Sequence, residues 1–154
     1  MRQRGRIFGR MFGRMAGPPW LRRSAAVFAL LAAYPAFVLG SVYATVLRSG
    51  FPGGHNGPKD AYRHSLASAT VAYTASPRLV DWVTRFMEHG EGGDAANAMD
   101  RHNNRIGAGI GARADSWTQM RTDVLAAVKA GGVDIADDHR ITWLPPDQWR
   151  ERLY

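Results

Sequence analysis

The chain of 154 residues contains no cysteine, which excludes disulfides, thiolate nucleophiles and thiolate metal ligands. Acidic residues are absent from its first 47 positions, whereas residues 1–23 carry seven arginines. The formal net charge of +7 is therefore confined to the N-terminus. From Arg48 onward thirteen Lys/Arg face thirteen Asp/Glu, and a neutral remainder of this kind argues against a nucleic-acid-binding face. No internal repeat or low-complexity run appears. The length suits one domain with a modest core.

What the chain does have is a long apolar run. Residues 24–47, "SAAVFALLAAYPAFVLGSVYATVL", hold no charge and follow Arg22-Arg23. A hydrocarbon core about 30 Å thick needs ~20 helical residues, so the run is long enough to span a membrane. The arginines of the basic segment 1–23 should stay cytoplasmic, placing the remainder on the periplasmic side of a bacterial inner membrane. A cleaved signal peptide is the competing expectation, with Val42 and Ala44 small enough for the −3 and −1 positions of a cleavage site near Ala44. Pro35 would kink a spanning helix without forbidding it.

Residues 48–57 contain four glycines and read as a turn-rich linker, which makes 58–154 the expected domain. The punctuation predicts an all-α fold of four helices. Pro58 opens the first, running to about Ala75, and Ser76-Pro77 opens the second, ending near His89-Gly90. Asp94 caps the third, and Asp115 or Ser116 caps the fourth, which Gly131-Gly132 stop. The tail "VDIADDHRITWLPPDQWRERLY" predicts a short hairpin or an irregular wrap, with Trp143, Trp149 and Tyr154 packed on the bundle.

At ~100° per residue the third helix separates into sectors. Met99, Ile106 and Ile110 share one side. Asp100, Asn103, Asn104, Gly107 and Gly111 share another, and His102 falls nearly opposite Asp100. Two mid-helix glycines on one stripe, each costing ~1 kcal/mol against alanine, point to close approach by another backbone. In the first helix Tyr62, Leu66, Ala69 and Tyr73 form the apolar face. Asp60 and His64, four apart, are neighbours on a different face.

Polar groups converging inside a bundle have three uses here. Asp60 can orient His64 as a general base, with Asn103 and Asn104 stabilising an oxyanion. Asp100, His89 and His64 can ligate a divalent ion, zinc or similar. Or the set is a hydrogen-bonded packing network. Arg63 and Arg105 are surface charges or clamps for a phosphate or carboxylate. His55 and His139 lie in loop-like segments, where solvated surface is the default.

The stretches "NGPKDAYRHSLASA" (56–69), "EHG" (88–90) and "AMDRHNNRIGAGIG" (98–111) together resemble an uncharacterised bacterial helical domain family. Its members carry a DAxRH helix, a later His-Glu and an MDxxNNxxG helix. The resemblance covers residues 56–132 and implies importance for Asp60, Arg63, His64, His89, Met99, Asp100, Asn103, Asn104 and Gly107. It departs where the family has glutamate after the histidine, since Gly90 stands there, flanked by Glu88 and Glu91. The combined expectation is a membrane-anchored or exported envelope domain acting as a metal-assisted hydrolase on a phosphoester, phospholipid or cell-wall substrate. A non-enzymatic envelope protein and an exported toxin domain are the alternatives.

Overall fold

The structure, a computed structural model, describes residues 18–80, 94–133 and 139–151. The described residues are mostly helical and form no strand, as expected for an all-α chain. Helix α1 spans Pro19–Val46 and includes Pro35. Helix α2 spans Pro58–Thr74, with Pro58 in its first turn where a missing N–H costs nothing. Residues 77–80 open the helix predicted from Ser76-Pro77, the Ser76 hydroxyl accepting the Arg78 N–H at 3.1 Å. The expected end of that helix near His89-Gly90 lies outside the described residues. Helix α3 spans Asp94–Arg113 and α4 spans Trp117–Lys129. Of the two predicted caps for α4, Ser116 is the one used, its hydroxyl accepting the Gln119 N–H at 3.1 Å.

The chain divides into two compact units, Met1–Ala36 and Phe37–Tyr154. The second unit thus begins well before residue 58. Val38, Val42 and Val46 recur every four residues along the end of α1 and are buried, and the Phe37 ring lies 5.9 Å from that of Trp117. Residues 48–57 are not a free linker. Phe51 stacks edge-on against Tyr62 at 5.5 Å, and Gly53, Gly54 and Gly57 are buried. Gly53 has φ +69°, and a Cβ there would meet the Gly57 Cα at 2.7 Å, so only glycine fits this turn. Glycine richness here reflects tight packing of backbone on backbone, where composition alone reads as flexibility.

In its described residues, 139–151, the tail is the irregular wrap. Two isolated bridges, His55 with Arg150 and Gly132 with Thr142, tie it to the rest, and a 3₁₀ turn covers Pro146–Gln148. Ile141, Thr142 and Leu144 are buried, and the Trp149 indole donates to the Leu144 carbonyl at 2.5 Å. Trp143 and Trp149 are half-buried, while Tyr154 lies outside the described residues.

The central packing is α2 on α3. From His64–Asp100 to Ser68–Asn104, and from Ser65–Gly107 to Ala69–Gly111, the contacts advance one turn on both helices, so the two run in the same direction. A Cβ at Gly107 would stand 2.7 Å from the Ser65 Cα, and one at Gly111 would stand 2.8 Å from the Ala69 Cα. The stripe of small residues therefore lets backbone meet backbone. Leu66, Met99, Met120, Val124 and Val128 fill the surrounding core.

Gly107→Ala and Gly111→Ala should each lower the melting temperature by several degrees. Overpacking of this kind costs about 1–3 kcal/mol and outweighs the ~1 kcal/mol helix gain of alanine. Gly109→Ala is the internal control, because its Cβ would meet only the flexible end of Arg113. Thermal unfolding should show Gly109→Ala neutral or stabilising.

Candidate metal centre

Asp60 is the third residue of α2, where a carboxylate suits exposed backbone N–H groups and the helix dipole. It is fully buried, and its Oδ2 accepts the Asn56 N–H at 2.6 Å. Its Oδ1 accepts a hydrogen bond from the Arg63 guanidinium. One turn along, His64 Nε2 lies 3.4 Å from Asp60 Oδ1 and 3.5 Å from Asp100 Oδ2 on α3. One ligand atom from each of Asp60, His64 and Asp100 can be chosen so that all lie within 4.8 Å of one another. Asp100 Oδ1 is buried with no hydrogen-bond partner among the described residues. These donors are an imidazole and two carboxylates, the set that suits a divalent ion.

The electrostatics of the two carboxylates differ. Burial alone would raise Asp60, but the hydrogen bond and charge of His64, the charge of Arg63 and the Asn56 N–H bring it below the usual carboxylate value. Asp100 is pushed above that value by burial, with the Asp60 charge adding to the rise and His64 and Arg63 opposing it. An ionised Asp100 beside an ionised Asp60 is therefore held at a cost that a cation between them would relieve. One cation already approaches: the Arg63 guanidinium touches Asp60 and lies 3.2 Å from His64 Nε2.

The remaining candidates separate. Asn104 sits one turn beyond Asp100 and accepts from the Ser68 hydroxyl at 2.8 Å, which leaves its amide nitrogen as the group available to donate. Asn103, expected beside it in the site, points elsewhere. It is fully buried, its Nδ2 donates to the Thr142 carbonyl at 2.8 Å, and its Oδ1 accepts the Thr142 N–H at 3.0 Å. Both ends of that amide are spent on the tail backbone, so Asn103 holds structure and not an oxyanion. His102 lies away from Asp100 as its helical angle predicts, and pairs through Nε2 with the Arg140 carbonyl at 2.7 Å. Arg105 lies 3.2 Å from His102 Nδ1. His89 lies outside the described residues.

His55 is the residue that sequence reasoning left on the surface. Its Nδ1 is 3.7 Å from Asp60 Oδ2, and its backbone pairs both ways with Arg150. The signal lay in the following residues: Asn56 with φ 63° and the glycines around it fold the chain back over the start of α2.

This helical domain with its Asp/His/Asp cluster falls in a described class of proteins. Residues 25–131 match the family called Domain of unknown function (DUF6973), and the chain belongs to that family. No curated protein and no solved structure matches it. The matched region starts within α1 and so takes in Val38, Val42 and Val46, but it ends before the tail that clamps Asn103.

Asp60→Asn and Asp100→Asn should move stability in opposite directions in metal-free buffer at pH 7. A lowered folded pKa means the Asp60 contribution is present above its unfolded value of ~3.9 and fades as pH falls through the folded value. Removing that charge beside Arg63 should cost about 3 kcal/mol. A raised folded pKa means ionised Asp100 opposes folding at neutral pH, an opposition relieved as pH falls through the raised value. Asp100→Asn should therefore raise the melting temperature, and the pH dependence of unfolding for the two variants checks both signs.

Proposed function

We propose that this protein is a metal-assisted hydrolase of the bacterial cell envelope, held at the inner membrane by α1. The observation that carries the reading is the convergence of Asp60, His64 and Asp100 on one small volume, with a buried Asp100 oxygen lacking a partner among the described residues. A packing network built for stability alone has no use for a carboxylate oxygen left unpaired. In this reading the three side chains hold a divalent ion such as zinc, which when bound supplies Lewis-acid polarisation and lowers the pKa of water. Asp60 and Asp100 neutralise its charge, and His64 contributes Nε2. Arg63 swings off His64 and offers its guanidinium to an anionic substrate, while the Asn104 amide nitrogen donates to developing negative charge. Phosphoesters, phospholipids and anionic cell-wall components fit these two donors.

Membrane attachment is supported by α1 itself. Ala26–Val46 has a mean hydropathy of 1.8 and is long and apolar enough to cross a membrane. Trp20, Val27 and Phe28 are exposed, and a bilayer is the environment that would cover them. Retention of the helix fits better than cleavage after Ala44, because cleavage would strip Phe37, Val38 and Val42 from the packed unit. The arginines of residues 1–23 favour a periplasmic domain.

A second reading keeps the same residues as a metal-free network, favoured by the Arg63 guanidinium already lying against Asp60 and His64. One experiment decides. Full-length protein in detergent should bind zinc or manganese near one equivalent by elemental analysis. Its melting temperature should rise, since ligand at 100 times Kd adds about 2.7 kcal/mol. Asp100→Asn should abolish both effects. A wild-type protein that stays metal-free, with no thermal shift on titration, would establish the network instead.

A further inference from the structure

On the other side of α2 lies a second site. Tyr62 and Asp60 are two residues apart, ~200° around the helix, so Tyr62 faces away from the Asp/His cluster. It borders a cleft of about 610 Å³ between the end of α1 and the length of α4. Arg48, Arg121 and Lys129 line this cleft together with Thr45 and Trp117, and no carboxylate does among the described residues. None of the three cations makes an ion pair with an acid among the described residues, and all three are exposed. Arg121 is held across the cleft by a hydrogen bond from its guanidinium to the Thr45 hydroxyl at 3.1 Å. Ser41, Ser49, Thr118 and Thr122 also line it; the Ser41, Thr45 and Ser49 hydroxyls donate to α1 backbone carbonyls, which leaves those of Thr118 and Thr122 as hydroxyl donors.

A domain whose charges balance overall has here gathered three of its thirteen cations, two threonine hydroxyl donors and two aromatic rings on one concave surface. Guanidinium and ammonium donors with two threonine hydroxyls around a cavity of this size match a tetrahedral oxyanion carried on a larger body. The placement adds to this. Ser41, Thr45, Arg48 and Ser49 close the apolar run of α1, where a membrane-inserted helix would meet the headgroup layer.

We propose that this cleft binds a phosphate-bearing anion, presented by an anionic phospholipid headgroup or by a soluble phosphoester. The site is independent of the metal reading, since no residue is shared with the Asp/His cluster. Arg121 and Lys129 grip the phosphate oxygens, Arg48 neutralises charge from the α1 side, and Trp117 and Tyr62 flank the group that carries the phosphate.

The test uses full-length protein in neutral detergent micelles, titrated calorimetrically with inorganic phosphate and with glycerol phosphate. The same protein in phosphatidylcholine vesicles is compared with and without phosphatidylglycerol. Arg121→Glu should weaken saturable binding at least tenfold, Arg121→Lys should retain most of it, and Arg78→Glu, the same charge change outside the cleft, should leave it within twofold. Because Arg121 is exposed, its variants should melt as the wild type does. Binding lost only for phosphatidylglycerol vesicles identifies a lipid headgroup, and binding lost for the soluble ligands as well identifies a general phosphoester site. Absence of saturable binding to every probe, or equal weakening by Arg78→Glu, would overturn the proposal and leave only diffuse attraction of a basic chain.

Discussion

The backbone contact between α2 and α3 at Gly107 and Gly111 is the constraint on which the rest of this structure depends. Helices ordinarily pack 8–10 Å apart because side chains keep them there. Glycine removes that spacer, and the Ser65 and Ala69 backbone moves into the vacated room. Only at such separation can His64, a side chain of modest reach, lie 3.5 Å from Asp100. The Ser68–Asn104 hydrogen bond repeats the relation one turn further along. The polar cluster and the small-residue stripe are thus two consequences of one parallel helix pair.

A second layer of order holds that pair in register. The tail reaches across both ends of the site: Thr142 is gripped by Asn103 on α3, and Arg150 pairs with His55 just ahead of α2. The Leu144 N–H donates to the Asn56 carbonyl, next to the N–H that Asp60 accepts. A segment with little secondary structure of its own therefore fixes the loop that places the most buried carboxylate. The cost falls on Asp100, whose ionised form is disfavoured and whose Oδ1 is unpaired among the described residues. Ser65 Oγ and Thr142 Oγ1 are also buried without a partner among the described residues, but Asp100 Oδ1 is the one that belongs to a carboxylate, and unrelieved polarity of that kind suits a ligand site better than a packing network.

Much of this was legible in the residues. The 3.6-residue period placed Asp100, Gly107 and Gly111 on one stripe and set His102 aside, because helical angle depends on sequence separation alone. The glycines announced backbone approach for a steric reason that holds in any context. Asn103 shares the Asp100 sector, but angle gives direction and not distance: the tail lies nearer and bonds both ends of the amide. Residues 48–57 read as linker because glycine permits flexibility and tight packing equally, and only the partners Trp149 and Gly57 distinguish them. His55 and the start of the packed unit at Phe37 rest on contacts between distant segments, which no local period encodes.

The central claim is that the α2–α3 contact builds a cation site and not merely a hydrogen-bonded core. The most direct measurement is anomalous diffraction from crystals of the protein soaked in manganese. The account predicts a difference peak bounded by Asp60, His64 and Asp100, with the Arg63 guanidinium displaced from His64. Crystals with no peak there, and with Arg63 still seated between Asp60 and His64, would contradict it.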